Sequence, residues 1–259
     1  MAILWIETPS RRLRLESREG ETLLAALRRA GVAVTAPCGG NGTCGKCGVR
    51  WRTEKGETRV SACRTVPAED GTVVLREQEG GAILQEGGGE TAVTPGRRGL
   101  GAALDLGTTT VVLALMDLAS GESLGTVGEW NAQGPYGADV ITRCQYCMEN
   151  ETGTATLQRV IRDQVRGLLA RLGREEKDLA ELFVAGNTVM EHLYAGLSPA
   201  GIARAPFTPQ TLFTGDGEAG PGLRYAPCVA GYVGGDITAG LLAAGLHRRR
   251  ERALFLDIG

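Results

Sequence analysis

Apolar and polar positions alternate in the opening residues, at Ile3–Ile6 and Leu13–Leu15, which predicts two short strands joined by a hairpin through Thr8-Pro9-Ser10. The period then changes. Across Glu21–Ala30, Leu23, Leu24 and Leu27 recur at helical spacing, with acid at the start, base near the end and Gly31 as a stop. Extended runs return at Gly48–Thr53 and Thr72–Leu75, so residues 1–78 read as a small α+β sheet crossed by one helix. Residues 79–99 are rich in Gly, Thr and Pro without sustained periodicity and read as a linker.

From residue 100 the pattern starts afresh. Apolar runs Leu100–Leu106 and Val111–Met116 flank a Gly-Thr-Thr turn, and a third extended segment covers Ser123–Trp130. Helical stretches follow at about 137–149 and 155–172, the latter with Leu157, Val160, Ile161, Val165, Leu168 and Leu169 on one broad face. Strand and helix then alternate: strand Leu182–Ala185, helix Thr188–Tyr194, strand Ala226–Ala230, helix Asp236–Leu246. Three strands, then helices alternating with strands, describe a mixed sheet of the ribonuclease-H type. A further strand is expected at Leu254–Gly259, where Asp257-Ile258-Gly259 echoes Asp105-Leu106-Gly107. That echo reads as a second copy of the unit, cut at its first strand.

The chain has 259 residues, enough for one or two domains, and 39 glycines, about twice the usual share, without a triplet period. Such glycines belong in turns and ligand loops. No apolar run is long enough to span a membrane and the start lacks a secretory pattern, so a cytoplasmic protein without a membrane partner is expected. Residues 1–78 carry 13 Lys+Arg against 9 Asp+Glu, a net +4, leaving −6 on the remainder. Neither half is basic enough to imply nucleic acid.

Cysteines decide the chemistry of the first piece. Cys38, Cys44 and Cys47 form C-x5-C-x2-C in a glycine-dense loop, and Cys63 follows after fifteen intervening residues. Four thiolates with glycines that let the backbone wrap closely suit a [2Fe–2S] cluster, whose sulfides accept backbone N–H groups. A structural zinc site is the alternative, although zinc sites usually pair their cysteines as two C-x2-C units. Free or disulfide-bonded cysteines are the third possibility. In the second piece, Asp105-Leu106-Gly107-Thr108-Thr109-Thr110 joins two apolar strands. Gly107 permits a tight turn, the following amides and hydroxyls can face phosphate oxygens, and Asp105 can hold Mg²⁺ through water. An ordinary hairpin turn is the plainer reading.

Other residues have adequate structural explanations. Cys144 and Cys147 lie one turn apart within a predicted helix, without two further sulfur ligands nearby, and Cys228 reads as a small apolar residue in a strand. His192 reads as structural or surface, the basic run Arg248–Arg252 as a solvated helix end, and Asn187 as a helix N-cap that also has access to the cleft.

Taken in order, Asp105–Thr110, Gly137–Arg143, Val184–Met190, Ala205-Pro206-Phe207, Gly231–Asp236 and Leu256–Gly259 resemble the ferredoxin-plus-ASKHA family typified by reductive activators of corrinoid proteins. The resemblance implies a β-grasp [2Fe–2S] ferredoxin-like domain at 1–78, a Gly-rich linker at 79–99, and at 100–259 the first ribonuclease-H-like lobe of an actin/hexokinase/Hsp70-like (ASKHA) ATPase domain. It implies Cys38, Cys44, Cys47 and Cys63 as cluster ligands, Asp105, Gly107, Thr108 and Thr109 as the first phosphate loop, and Asp257 and Gly259 at the start of the second. It assigns no catalytic residue. The function implied is electron transfer coupled to ATP, reducing Co(II) to Co(I) in a corrinoid iron–sulfur or corrinoid methyl-carrier protein, with electrons from a reductase. Because the chain stops where the second lobe starts, ATP and Mg²⁺ are expected only for a full-length form, and whether this chain is itself an enzyme stays open. A plain [2Fe–2S] carrier that docks on another oxidoreductase without using ATP is the alternative.

Overall fold

A computed structural model describes residues 2–8, 12–30, 32, 34, 36, 40, 42–43, 45–75, 96–215 and 222–257. It divides the chain into two compact units, one of residues 1–82 with 132–143, the other of residues 83–131 with 144–259.

In the first unit, strands β1 (Ile3–Glu7) and β2 (Arg12–Glu16) pair antiparallel from Glu7–Arg12 to Ile3–Glu16. The predicted turn at Pro9-Ser10 lies outside the described residues. Helix α1 (Leu23–Arg29) begins at Thr22, whose hydroxyl accepts from Ala25 N at 3.3 Å. Three more strands follow, β3 (Gly48–Thr53), β4 (Gly56–Ser61) and β5 (Gly71–Val74). The order is β2-β1-β5-β3-β4, with β1 and β5 parallel at the centre and every other pair antiparallel. This is a β-grasp. Alternation explains its core: Leu4 and Ile6, Val49 and Trp51, and Val73 point to one face and meet Leu23, Leu24, Ala26 and Leu27 of α1. Strand β4 was not expected from the sequence. Its Gly-Glu-Thr-Arg-Val-Ser is exposed over its first four residues, so it lies at the sheet edge and is held by its ladder to β3 rather than by burial.

The second unit has β6 (Leu100–Leu106), β7 (Thr110–Asp117) and β8 (Ser123–Trp130) as an antiparallel meander. Helices α2 (Val140–Glu149) and α3 (Gly153–Arg171) follow, then β9 (Leu179–Gly186), α4 (Thr188–Ala195), β10 (Leu223–Tyr225) and α5 (Gly235–Ala243). The sheet order β10-β9-β6-β7-β8, with β9 parallel to β6 and β10 parallel to β9, is the ribonuclease-H arrangement. Helix α3 buries Leu157, Ile161, Val165, Leu168 and Leu169, close to the stripe expected. No helix among the described residues is long and apolar enough to cross a membrane.

Two expected strands are corrected. The strand placed at Ala226–Ala230 lies instead at Leu223–Tyr225. Ala226 N still donates to Val184 O at 2.8 Å, but Pro227 has no N–H to continue the ladder, and the chain turns back with Val229 N donating to Val233 O. Cys228 is therefore buried in a loop. Along the expected strand Leu254–Gly259, residues 254–257 take no strand pairing. Leu254 and Leu256 are exposed, and an apolar run becomes a strand only where a neighbouring strand completes its hydrogen bonds. Ile258 and Gly259 lie outside the described residues.

Candidate functional site

Two sites were read from the sequence, one in each unit. Of the four cysteines in the first, Cys47 and Cys63 are described, and Cys38 and Cys44 lie outside the described residues. Cys47 is buried immediately before β3. Cys63 lies in the turn after β4, where Arg64 N and Thr65 N both donate to Ser61 O. Helix α1 pins that turn: Leu23 N donates to Thr65 O at 2.8 Å and Leu24 N to Ala62 O at 2.9 Å. The first amides of a helix have no partner within it, so they are free to anchor a loop. A further bond, Ala62 N to Cys47 O at 2.9 Å, joins the two cysteine-bearing segments. As a result the sulfurs stand 3.2 Å apart as free thiols. A disulfide would need about 2.05 Å, whereas a tetrahedral metal about 2.3 Å from each thiolate spaces the pair by about 3.8 Å. The pair fits one metal after a small adjustment.

In the second unit the Asp105–Thr110 segment is the β6–β7 turn. A Cβ on Gly107 would strike the Thr110 carbonyl, so only glycine fits there. Two asparagines hold the turn. Asn131, just after β8, donates its Nδ2 to Gly107 O at 2.7 Å and its backbone N to Thr109 O at 2.8 Å. Asn187 donates its Nδ2 to the Thr108 hydroxyl at 2.9 Å while its Oδ1 accepts from Met190 N at 3.0 Å. It is thus both the N-cap of α4, as read from the sequence, and a prop for the turn.

Asp105 stands at the end of β6, paired across the sheet with Ala185 of β9. Part of its surface stays accessible, yet neighbouring protein desolvates the carboxyl and the charge of Asp236 adds to this, so its pKa is raised. Asp236, in the first turn of α5, is raised in turn by burial and by the charge of Asp257. Asp257 is exposed, and its counterpart Gly259 lies outside the described residues. Asp105 and Asp236 thus both resist ionisation, and a cation near them would relieve that cost. Among the described residues no group of three His, Cys, Asp or Glu is gathered as a ready-made ligand set.

Glu191 was not found by sequence reasoning. It is 0% exposed on α4, its Oε1 accepts from Gly186 N at 3.1 Å, and Cys228 Sγ lies 3.2 Å from its Oε2. A Cβ on Gly235 would strike the same Oε1, so the glycine before Asp236 makes room for this carboxyl. Burial pushes the Glu191 pKa up to about 8, and burial and the Glu191 charge push the Cys228 thiol up to about 12. At neutral pH both hold their protons. Glu191 therefore clasps the end of β9, the loop before α5 and α4 beneath the acidic group.

The remaining candidates are structural. His192 is buried, its Nδ1 donates to Thr188 O at 2.7 Å and its Nε2 accepts from Gln210 N at 3.2 Å, which fixes a neutral ring whose pKa burial lowers further. Cys144 is buried and Cys147 half-buried on α2, the latter with its thiol pKa raised by burial.

A β-grasp carrying a close thiol pair, followed by a ribonuclease-H lobe with an acidic turn, defines a two-module class of protein. Comparison with known proteins makes the class particular. Residues 100–249 match the RACo middle region, and the chain belongs to that family. Residues 8–68 match the 2Fe-2S iron-sulfur cluster binding domain. The corrinoid activation enzyme RamQ of Eubacterium limosum is 30% identical over 175 residues, covering 61% of this chain and 29% of that protein. A solved reductive activator for corrinoid,iron-sulfur protein superposes with a TM-score of 0.57 at 25% identity, covering 97% of this chain and 59% of that one. The chain thus spans under two thirds of the length of both relatives.

Proposed function

We propose that the chain serves the ATP-dependent reductive activation of a corrinoid protein, passing single electrons that take Co(II) to Co(I). The observation that carries this reading is the Cys47–Cys63 thiol pair, 3.2 Å apart in a β-grasp that precedes a ribonuclease-H lobe in one chain. Cys38, Cys44, Cys47 and Cys63 would hold a [2Fe–2S] cluster, which when bound supplies one-electron chemistry. The Cys63 turn is tied to α1, and the Cys47 segment to that turn, through backbone hydrogen bonds, which keeps these two thiols in place when the charge at the site changes. In the lobe, Asp105, Gly107, Thr108 and Thr109 would form the first phosphate loop of an ASKHA-type site, with Asp257 and Gly259 opening the second. ATP and Mg²⁺ would be the ligands of that site. Nucleotide would do work by binding two conformations unequally, since a ligand shifts an equilibrium only by its differential affinity. The domain boundaries proposed are 1–78, a linker at 79–99 and 100–259, in a cytoplasmic protein fed by a reductase and acting on a corrinoid iron–sulfur or methyl-carrier protein.

The test is anaerobic purification, iron and sulfide analysis, and visible spectra before and after dithionite. A red-brown protein with about two irons and two sulfides that bleaches on reduction is expected. Cys47→Ser should lose the chromophore. A colourless, zinc-loaded protein would remove electron transfer, and corrinoid activation with it.

A further inference from the structure

We infer that the cations seated around the cysteine loop form a docking rim for an acidic redox protein, the electron donor to this chain; this rests on the electron-transfer reading above. Arg64 follows Cys63 directly, and its guanidinium lies over the loop glycine Gly42, where a Cβ would sit 2.5 Å from Nε. Arg59 reaches across from β4 to lie over Gly48, next to Cys47, where a Cβ would sit 2.8 Å from its Nε. These two glycines bracket the segment that carries Cys44 and Cys47, so their missing side chains leave room for two guanidinium groups against the backbone. Lys46 is exposed between them in sequence, and Val66 adds an exposed apolar spot, 48% accessible, beside Arg64.

What separates Arg59 and Arg64 from the other arginines of this sheet is pairing. Arg50 and Arg52 are both engaged by Glu57, at 3.1 and 2.9 Å, Arg52 also by Glu7, and Arg29 by Glu21 at 2.8 Å. Arg59 and Arg64 are exposed and have no ion pair among the described residues. Two cations left without an ion pair thus lie at the described cysteines, in a unit with net charge +4 over residues 1–78. An iron–sulfur cluster with four thiolates is itself negative and would repel an acidic donor. Exposed, preplaced cations at its edge reverse that field where a donor must approach. Redox encounters are small and transient, and oriented charge raises their rate of association far more than their buried area could.

The experiment uses the full chain with its cluster, checked first by visible spectrum, and flavodoxin hydroquinone as an acidic protein donor. Stopped-flow bleaching is followed from 20 to 500 mM salt for the wild type, Arg59→Glu/Arg64→Glu and Arg59→Gln/Arg64→Gln. Photoreduced deazariboflavin serves as an uncharged small reductant, and each variant is titrated for potential. The wild-type rate with flavodoxin should fall at least tenfold with salt. The double Glu variant should lose at least tenfold at low salt and show little salt dependence, with the Gln variant between, while the deazariboflavin rate stays unchanged. A wild-type rate indifferent to salt, or variants as fast as wild type, would overturn the rim. A shifted potential with the flavodoxin salt dependence retained would assign the arginines to charge balance and also overturn it. A chain that binds no cluster would instead bring down the electron-transfer reading on which the rim depends.

Discussion

Glu191→Gln separates a protonated carboxyl that holds the acidic group in place from a buried charge. With its pKa raised by burial from 4.5 to about 8, Glu191 keeps its proton in the folded chain over a range where the unfolded chain has lost it. The folded state then binds more protons than the unfolded one, so the contribution of this group is fully present below about pH 4.5 and is lost as pH rises through about 8. Each pH unit inside that window costs about 1.4 kcal/mol, which gives a loss of about 2 kcal/mol from this residue between pH 6 and pH 8. Gln keeps an oxygen for Gly186 N at nearly the same size and cannot ionise, so the variant should lack that decline. The assay is urea unfolding at pH 6 and pH 8 in a Trp5→Phe/Trp51→Phe background, which leaves Trp130 as the fluorophore of the second unit. The other titrating groups are common to both proteins and cancel in the comparison. If wild type and Glu191→Gln change in parallel between the two pH values, the carboxyl is not held protonated and the reasoning fails.

Three further outcomes follow from the same geometry. Asn187→Ala removes both the cap to Met190 N and the prop to Thr108, and should cost about 1–2 kcal/mol by calorimetry, whereas Asn187→Asp keeps the cap and should recover most of the loss. Gly107→Ala drives a Cβ into the Thr110 carbonyl and should cost about 3 kcal/mol or more, read as a lower urea midpoint for the second unit alone. The His192 ring, buried and neutral between Thr188 O and Gln210 N, should titrate by NMR below the usual imidazole value of 6.5. Its lowered pKa means that the unfolded chain binds the extra proton, so its contribution to stability is lost as pH falls below about 6.5.

The fold was legible where burial imposes a period. Leu4 and Ile6 alternate because β1 covers α1 on one face, and Leu157 to Leu169 recur because α3 lies on a sheet. Strand β4 carries no such period, since an edge strand held by its ladder leaves little mark on composition. The strand expected at Ala226–Ala230 fails for a reason present in its own letters. An apolar run containing Pro227 was read for hydrophobicity alone, and the missing amide proved the stronger constraint.

The candidate site divides along a similar line. Candidates defined by spacing along the chain could be named from it, as with the cysteine loop and the Asp105–Thr110 turn. Chemistry that depends on segments far apart in sequence was not. Glu191 follows an N-cap by four residues and has the letter of an ordinary exposed helix position. Only the convergence of Gly186, Cys228 and Gly235 shows that it is enclosed. Asp236 likewise gains meaning from Asp105, which lies across the sheet in a different crossover unit. Both residues are costly to desolvate, and a domain selected for stability alone would put apolar groups at such positions. Here the cost falls in a lobe whose β6–β7 turn is braced by Asn131 and Asn187 from separate elements. Bracing and raised proton affinity thus occur in one lobe, and this supports the proposal of a phosphate loop at that turn.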